Sequence, residues 1–255
     1  MHVLLTGASS GIGESLAREL ARRNHRVTLV ARRQAELERV AASCAAGDRV
    51  RALAGDVGDL EGLAGLVQRA EAGLGPIEAL VNNAGIERVA RFADVTSEDG
   101  EQLMRVNLHA PLRLIRLVLP GMTARGAGTI VNVTSVAGLV PLPYATYYSA
   151  SKAALSSASE HLRLELAAQK VRVLTVYPGP IQTAMGERAA AAYERDALPR
   201  MFWGSSEGLA KAVADRMDSG CARLVYPRAY GVLGWAPSFF RWAQFQLAPA
   251  PGKST

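Results

Sequence analysis

Tyr148 and Lys152 stand four residues apart in the run Tyr148-Ser149-Ala150-Ser151-Lys152. In a helix four residues make about one turn, so the phenol and the ammonium would share a face. A free phenol titrates near pH 10, about three units too high for efficient proton exchange at neutral pH. A neighbouring ammonium favours the phenolate, so the pair is suited to general acid and base work. Three units correspond to about 4 kcal/mol, which calls for a close and partly desolvated arrangement. The spacing alone is common in proteins. Tyr147 lacks the same ammonium, because its partner one turn on is Ser151.

A second chemistry-bearing stretch is Thr6-Gly7-Ala8-Ser9-Ser10-Gly11-Ile12-Gly13, which follows an apolar run and opens an amphipathic one. Glycines in that setting permit a tight turn, let backbone N–H groups approach a pyrophosphate and allow close packing of helix on strand. The helix N-terminus that follows favours an anion. The stretch is read as a dinucleotide cradle, with GxxxGxG spacing instead of GxGxxG. At the end of the next strand stand Ala31, Arg32 and Arg33. A carboxylate there would hold a ribose 2′-hydroxyl and repel a 2′-phosphate, whereas a guanidinium fork suits the phosphate. NADP(H) is therefore the favoured cofactor and NAD(H) the alternative.

Short leucine-rich or β-branched runs alternate with longer amphipathic ones, which predicts a parallel sheet covered on both faces by helices. Strands are expected at 2–6, 26–31, 50–54, 77–82, 129–134, 171–177 and 224–226, and helices at 11–22, 34–46, 60–72, 98–125, 144–169 and 207–217. The reading is a single α/β domain over 1–255 with a doubly wound, seven-stranded sheet. Residues 182–206 show weaker periodicity and no strand, and are read as a substrate lid.

The chain has 255 residues, 49% of them apolar and 20% charged, enough to bury one core without repeats or disorder. Its net charge of +6 is carried mostly by arginines scattered among acids, with no run or motif for nucleic acid. Cys44 and Cys221 are far apart and in no metal-ligand spacing, so neither a disulfide framework nor a metal is expected. The N-terminus lacks a basic stretch ahead of its apolar run and is read as a strand, so a cytoplasmic location is expected.

Beyond these stretches the chain carries GDV at 55–57, NNAG at 82–85, Asn107, Ser135 and PGPIQT at 178–183. Together with TGASSGIG at 6–13 and YSASK at 148–152, and in this order, they resemble the short-chain dehydrogenase/reductase family over nearly the whole length. The resemblance implies a Rossmann fold and a tetrad of Asn107, Ser135, Tyr148 and Lys152. Tyr148 would be the acid in carbonyl reduction and the base in alcohol oxidation, and Ser135 would bind the substrate oxygen. Lys152 would hold the nicotinamide ribose and tune Tyr148, and Asn107 would support a proton-relaying water.

The resemblance further implies a cofactor site made of Gly7, Ser9, Ser10, Gly11, Ile12, Gly13, Arg32, Arg33, Asp56, Val57, Asn83, Ala84, Gly85, Tyr148, Lys152, Pro178, Gly179, Ile181 and Thr183. Many NADP-preferring relatives have Lys or Arg at the position of Ser10, which leaves Arg32 and Arg33 to meet the phosphate. A homodimer or homotetramer packed through the two long helices is also implied.

Val136, Leu139, Pro141, Leu142, Ile181, Met185, Phe202 and Trp203 are expected around the carbonyl, which suits a lipophilic ketone, aldehyde, steroid or acyl chain. No charged clamp for a polar substrate is evident. The aromatic tail, 231–255, has two Trp and three Phe within 231–247. It is too short and too interrupted to span a bilayer, and would meet a subunit, the cleft or a membrane interface. A 3-oxoacyl thioester reductase is the alternative enzyme. A noncatalytic NADP(H)-sensing or scaffold protein is the alternative of another class.

Overall fold

A computed structural model of the chain describes residues 1–193 and 202–234. Among them the sheet has seven strands: β1 His2–Thr6, β2 Arg26–Ala31, β3 Val50–Ala54, β4 Ala79–Asn82, β5 Gly128–Val133, β6 Val171–Pro178 and β7 Arg223–Tyr226. Their order is β3-β2-β1-β4-β5-β6-β7, and every neighbouring pair is parallel. Because strand side chains alternate in direction, β1 to β6 each feed two cores. Val3 and Leu5 of β1 join one core with Val27, Leu29, Val131 and Leu174, while Leu4 joins the other with Val30, Leu80 and Ile130.

The helices are α1 Gly11–Arg22, α2 Gln34–Ser43, α3 Leu63–Leu74, α4 Ser97–Met104, α5 Ala110–Arg125, α6 Thr146–Leu166, α7 Ala184–Ala191 and α8 Ser206–Ser219. Leu16 and Leu20 of α1, Leu37 of α2 and Leu209 and Val213 of α8 close the first core. Leu63 and Leu66 of α3 and Leu114, Val118 and Met122 of α5 close the second. The chain winds outward from β1 to β3 and then outward from β4 to β7. The strand order thus reverses between β1 and β4, and the carboxyl ends of these two strands are the usual place for a ligand in such a sheet.

Three differences from expectation have local causes. The expected helix 98–125 is divided: α4 and α5 are joined by a π turn, Arg105–His109, centred on the buried Asn107. The expected helix 34–46 stops at Ser43, where Ala45 and Gly47 take positive φ. The expected lid holds a helix, α7, capped by Thr183, whose hydroxyl accepts the Gly186 N–H at 3.2 Å. Its run of alanines has high helix propensity but no apolar stripe, so periodicity could not reveal it. The rest of the lid at 194–201, and the tail beyond Gly234, lie outside the described residues. Among the described residues no helix is long and apolar enough to cross a membrane.

Candidate active site

The glycine stretch turns between β1 and α1 with Gly7 at φ +67 and Gly11 at φ +56, conformations in which a side chain would be strained. A Cβ on Gly13 would stand 2.1 Å from the Gly7 carbonyl oxygen, and one on Gly7 would stand 2.7 Å from Ala84 Cα. Thr6 ties this turn to the end of β4: its hydroxyl accepts the N–H groups of Asn83 and Ala84, both at 3.1 Å. The Asn83 side chain donates to the carbonyls of Thr6 and Gly7 at 3.0 and 3.2 Å. Asn83 thus holds the turn's shape with its side chain.

Ser10, exposed, occupies the N-cap position of α1, Ile12 packs against the core, and Ser9 accepts a hydrogen bond from Arg33 at 3.1 Å. Arg33 is therefore drawn to the mouth of the cradle. Arg32 is exposed and makes no ion pair among the described residues. Farther along, Asp56 accepts the Gly58 N–H at 2.8 Å beside the buried Val57.

On the other side, β6 ends at Pro178, and the Gly179 N–H donates to the Tyr226 carbonyl at 2.7 Å. The buried Ile181 bridges to Gly204, and Thr183 reaches the cradle, its methyl 3.2 Å from where a Cβ on Gly11 would lie. The tail begins in a 3-10 turn, Arg228–Gly234, whose Tyr230 ring lies against Gly179.

Between these walls stand the four residues expected to react. Helix α6 is held against the sheet by a buried polar chain: Asn82 donates to Asn132 and Asn132 to Ser159, both at 2.8 Å. Tyr177 and Ser156 add a contact at 2.5 Å. Gly138 permits close approach of the preceding turn, since a Cβ there would be 3.0 Å from the Lys152 backbone. These contacts place Lys152, only 4% exposed, so that its ammonium donates to the Val133 carbonyl at 3.0 Å and lies 5.9 Å from the Tyr148 ring centroid.

Ser135, just beyond β5, accepts the Ala137 N–H at 3.1 Å and lies close enough to Tyr148 to act on its phenol. Asn107 is fully buried and accepts the Ile86 N–H while donating to the Ile86 carbonyl, both at 2.9 Å. Its amide also donates to Ser151 at 3.1 Å, and Ser151 in turn donates to the Tyr148 carbonyl at 2.7 Å. The structure thus joins Asn107 to the base of the Tyr148 turn through Ser151, a link to which sequence reasoning assigned nothing.

The electrostatics differ from the expectation that an ammonium lowers the Tyr148 phenol. Burial is the largest influence and, with the Glu87 carboxylate, pushes the phenol well above its ordinary value, the Ser135 hydrogen bond opposing. Burial likewise lowers the Lys152 ammonium to about 8, with Glu87 opposing. Glu87 is itself pushed up to about 7 by desolvation, against the pull of Lys152. It was missed in the sequence because one acid two residues beyond NNAG carries no pattern. Of the expected apolar lining, Val136, Leu139, Leu142 and Trp203 are half-buried, while Pro141, Met185 and Phe202 are exposed.

The chain matches the family model described as short chain dehydrogenase over residues 1–194. The chain belongs to the short-chain dehydrogenase/reductase family. Its members are oxidoreductases acting between CH–OH and C=O groups. The chain is 42% identical over 185 residues to the ketoacyl reductase HetN of Nostoc sp., covering 72% of this chain and 64% of that relative, so it spans less than two thirds of HetN's length. A short-chain dehydrogenase structure from Streptomyces avermitilis superposes with a TM-score of 0.83 at 29% identity, over 96% of this chain and 95% of that one. A metagenomic short-chain oxidoreductase solved in complex with NADP gives 0.75 at 28% identity, over 88% and 95%.

Proposed function

We propose that this short-chain dehydrogenase/reductase is an NADP(H)-dependent enzyme that interconverts a carbonyl and an alcohol on a substrate with an apolar body. The observation that carries the reading is the approach of the Lys152 ammonium to the Tyr148 ring at the start of α6, with Ser135 acting on the same phenol, beside a turn in which Gly7 and Gly13 leave no room for a side chain. That cradle fits a pyrophosphate at the N-terminus of α1, with Asp56 and Val57 beside the adenine and Pro178, Gly179, Ile181 and Thr183 around the nicotinamide. When bound, the nicotinamide supplies or accepts the hydride.

The chain's own residues handle the proton and the oxygen. A phenol raised by burial is protonated at neutral pH, which equips Tyr148 to donate to a carbonyl oxygen that Ser135 holds. Lys152 positions the ribose and presents positive charge below about pH 8. Asn107 fixes the turn after β4 to α6 and so holds the cleft's width. Arg32 and Arg33, with no acid beside them, favour a 2′-phosphate. The name of the HetN relative favours a second reading, reduction of a 3-oxoacyl thioester.

NADPH consumption over a panel of aldehydes, steroids, long-chain ketones and 3-oxoacyl thioesters tests both readings. Tyr148→Phe is expected to lose at least about a hundredfold in kcat while NADPH still quenches tryptophan fluorescence. Substantial residual turnover would remove Tyr148 from its role. In the same assay Arg32→Asp is expected to raise the KM for NADPH much more than that for NADH, and equal effects would remove the NADP preference.

A further inference from the structure

The cleft contains a carboxylate for which the reaction has no use. Gly85 runs past the reacting residues so closely that a Cβ on it would lie 3.3 Å from both Asn107 Oδ1 and Lys152 Nζ. Ile86 is then pinned by the Asn107 amide on both its N–H and its carbonyl. Farther on, the Ala90 N–H donates to the Tyr144 carbonyl at 2.8 Å, on the turn that leads into α6. Residues 85–90 are thus anchored at both ends across the start of α6, and Glu87 lies between the anchors.

From the far side, Tyr193 donates to the Pro143 carbonyl at 2.7 Å, which brings the chain just beyond α7 over the same place. Glu87 is half-buried there, near enough to act electrostatically on Lys152, Tyr148 and Tyr193. It makes no hydrogen bond or ion pair among the described residues. Its neighbour Arg88 is engaged with Asp99 at 2.8 Å.

We propose that Glu87 selects the substrate, its carboxylate accepting a hydrogen bond from a hydroxyl on the carbon next to the reacting carbonyl, so that the cleft prefers neutral 2-hydroxyketones to plain ketones and to anionic acyl chains. The proposal rests on the oxidoreductase reading above. In the reduction the carbonyl carbon gains the hydride and its oxygen the Tyr148 proton, leaving a 1,2-diol and oxidised nicotinamide. A partly desolvated acceptor is costly when unpaired, and a substrate hydroxyl satisfies it. A plain ketone leaves it unpaired, and an anion beside it is repelled. Burial pushes the Glu87 carboxyl up to about 7 against the pull of Lys152, in keeping with an acceptor that makes no hydrogen bond among the described residues.

The probes are 2-hydroxyacetophenone and acetophenone, which share an apolar ring and differ in the one hydroxyl, assayed with NADPH at pH 7.5 in the full chain. Wild type is expected to favour the hydroxyketone at least about tenfold in kcat/KM, as a site built around a substrate hydroxyl does. Glu87→Ala brings the ratio to within about threefold, and Glu87→Gln, which keeps the shape and an acceptor but not the charge, falls between. An unchanged ratio in Glu87→Ala, a wild type without preference, or a wild type that reduces neither ketone overturns the proposal. Tyr148→Phe separates the two readings: if it stays active the oxidoreductase reading falls. If it is inactive while Glu87→Ala discriminates as wild type does, only the role of Glu87 falls.

Discussion

Tyr148, Lys152 and Glu87 share one cleft, and in each of them burial is the largest influence on the proton. The consequences for stability have opposite signs. Between about pH 4.5 and 7 the folded chain keeps a proton on Glu87 that the unfolded chain releases, so this group's contribution to stability is lost as pH rises through that window. Lys152 acts in the reverse direction between about 8 and 10.5: the unfolded chain holds the proton, so stability rises with pH. Glu87→Gln is therefore expected to remove a loss of about 1 kcal/mol between pH 5 and 7, after allowance for Glu87's partial exposure to solvent. Urea denaturation of both proteins across that range measures it, and parallel stability curves would show that Glu87 ionises in the fold as it does in water.

The elements matter here for where they end. α4 and α5 are interrupted at a π turn, and such interruptions recur at functional sites because they re-aim a side chain. Here the re-aimed side chain is Asn107, which spans from the turn after β4 to Ser151 on α6. The junction of β1 and α1 tolerates even less change. Gly13→Ala is expected to cost about 1–3 kcal/mol, because the added carbon would meet the Gly7 carbonyl, and to abolish NADPH binding. Gly65, in α3 with nothing within 4 Å of an added Cβ, provides the contrast: Gly65→Ala is expected to stabilise by up to about 1 kcal/mol. Urea midpoints and NADPH fluorescence titration of the two variants check the pair, and equal effects would show that the cradle is not sterically closed.

Over the whole molecule, two cores close both faces of the sheet and leave apolar side chains on the outer surface of the long helices. Leu164 on α6 is 70% exposed and Leu117 on α5 37%. We propose that these helices pack against a second copy in the homodimer or homotetramer that the family resemblance implies. Light scattering is expected to give a dimer or tetramer for wild type and a smaller species for Leu164→Glu. A monomeric wild type would remove the expectation.

The fold was legible in the chain itself because strand and helix leave local periodicities of two and 3.6 residues, and because glycine-rich turns have few chemical substitutes. His2–Thr6, Arg26–Ala31, Val50–Ala54 and Gly11–Arg22 fall where those patterns place them. The order of Gly7, Asn107, Ser135, Tyr148 and Lys152 likewise pointed to one reaction class. Burial and approach between distant segments leave no such trace. That Asn107 spends its amide on Ile86 and Ser151, that desolvation raises the Tyr148 phenol, and that Glu87 and Lys152 act on each other's charge depend on segments brought together only by the sheet order and the packing of α6. Desolvation and Coulomb forces act through space, so tertiary structure decided the charge of this cleft.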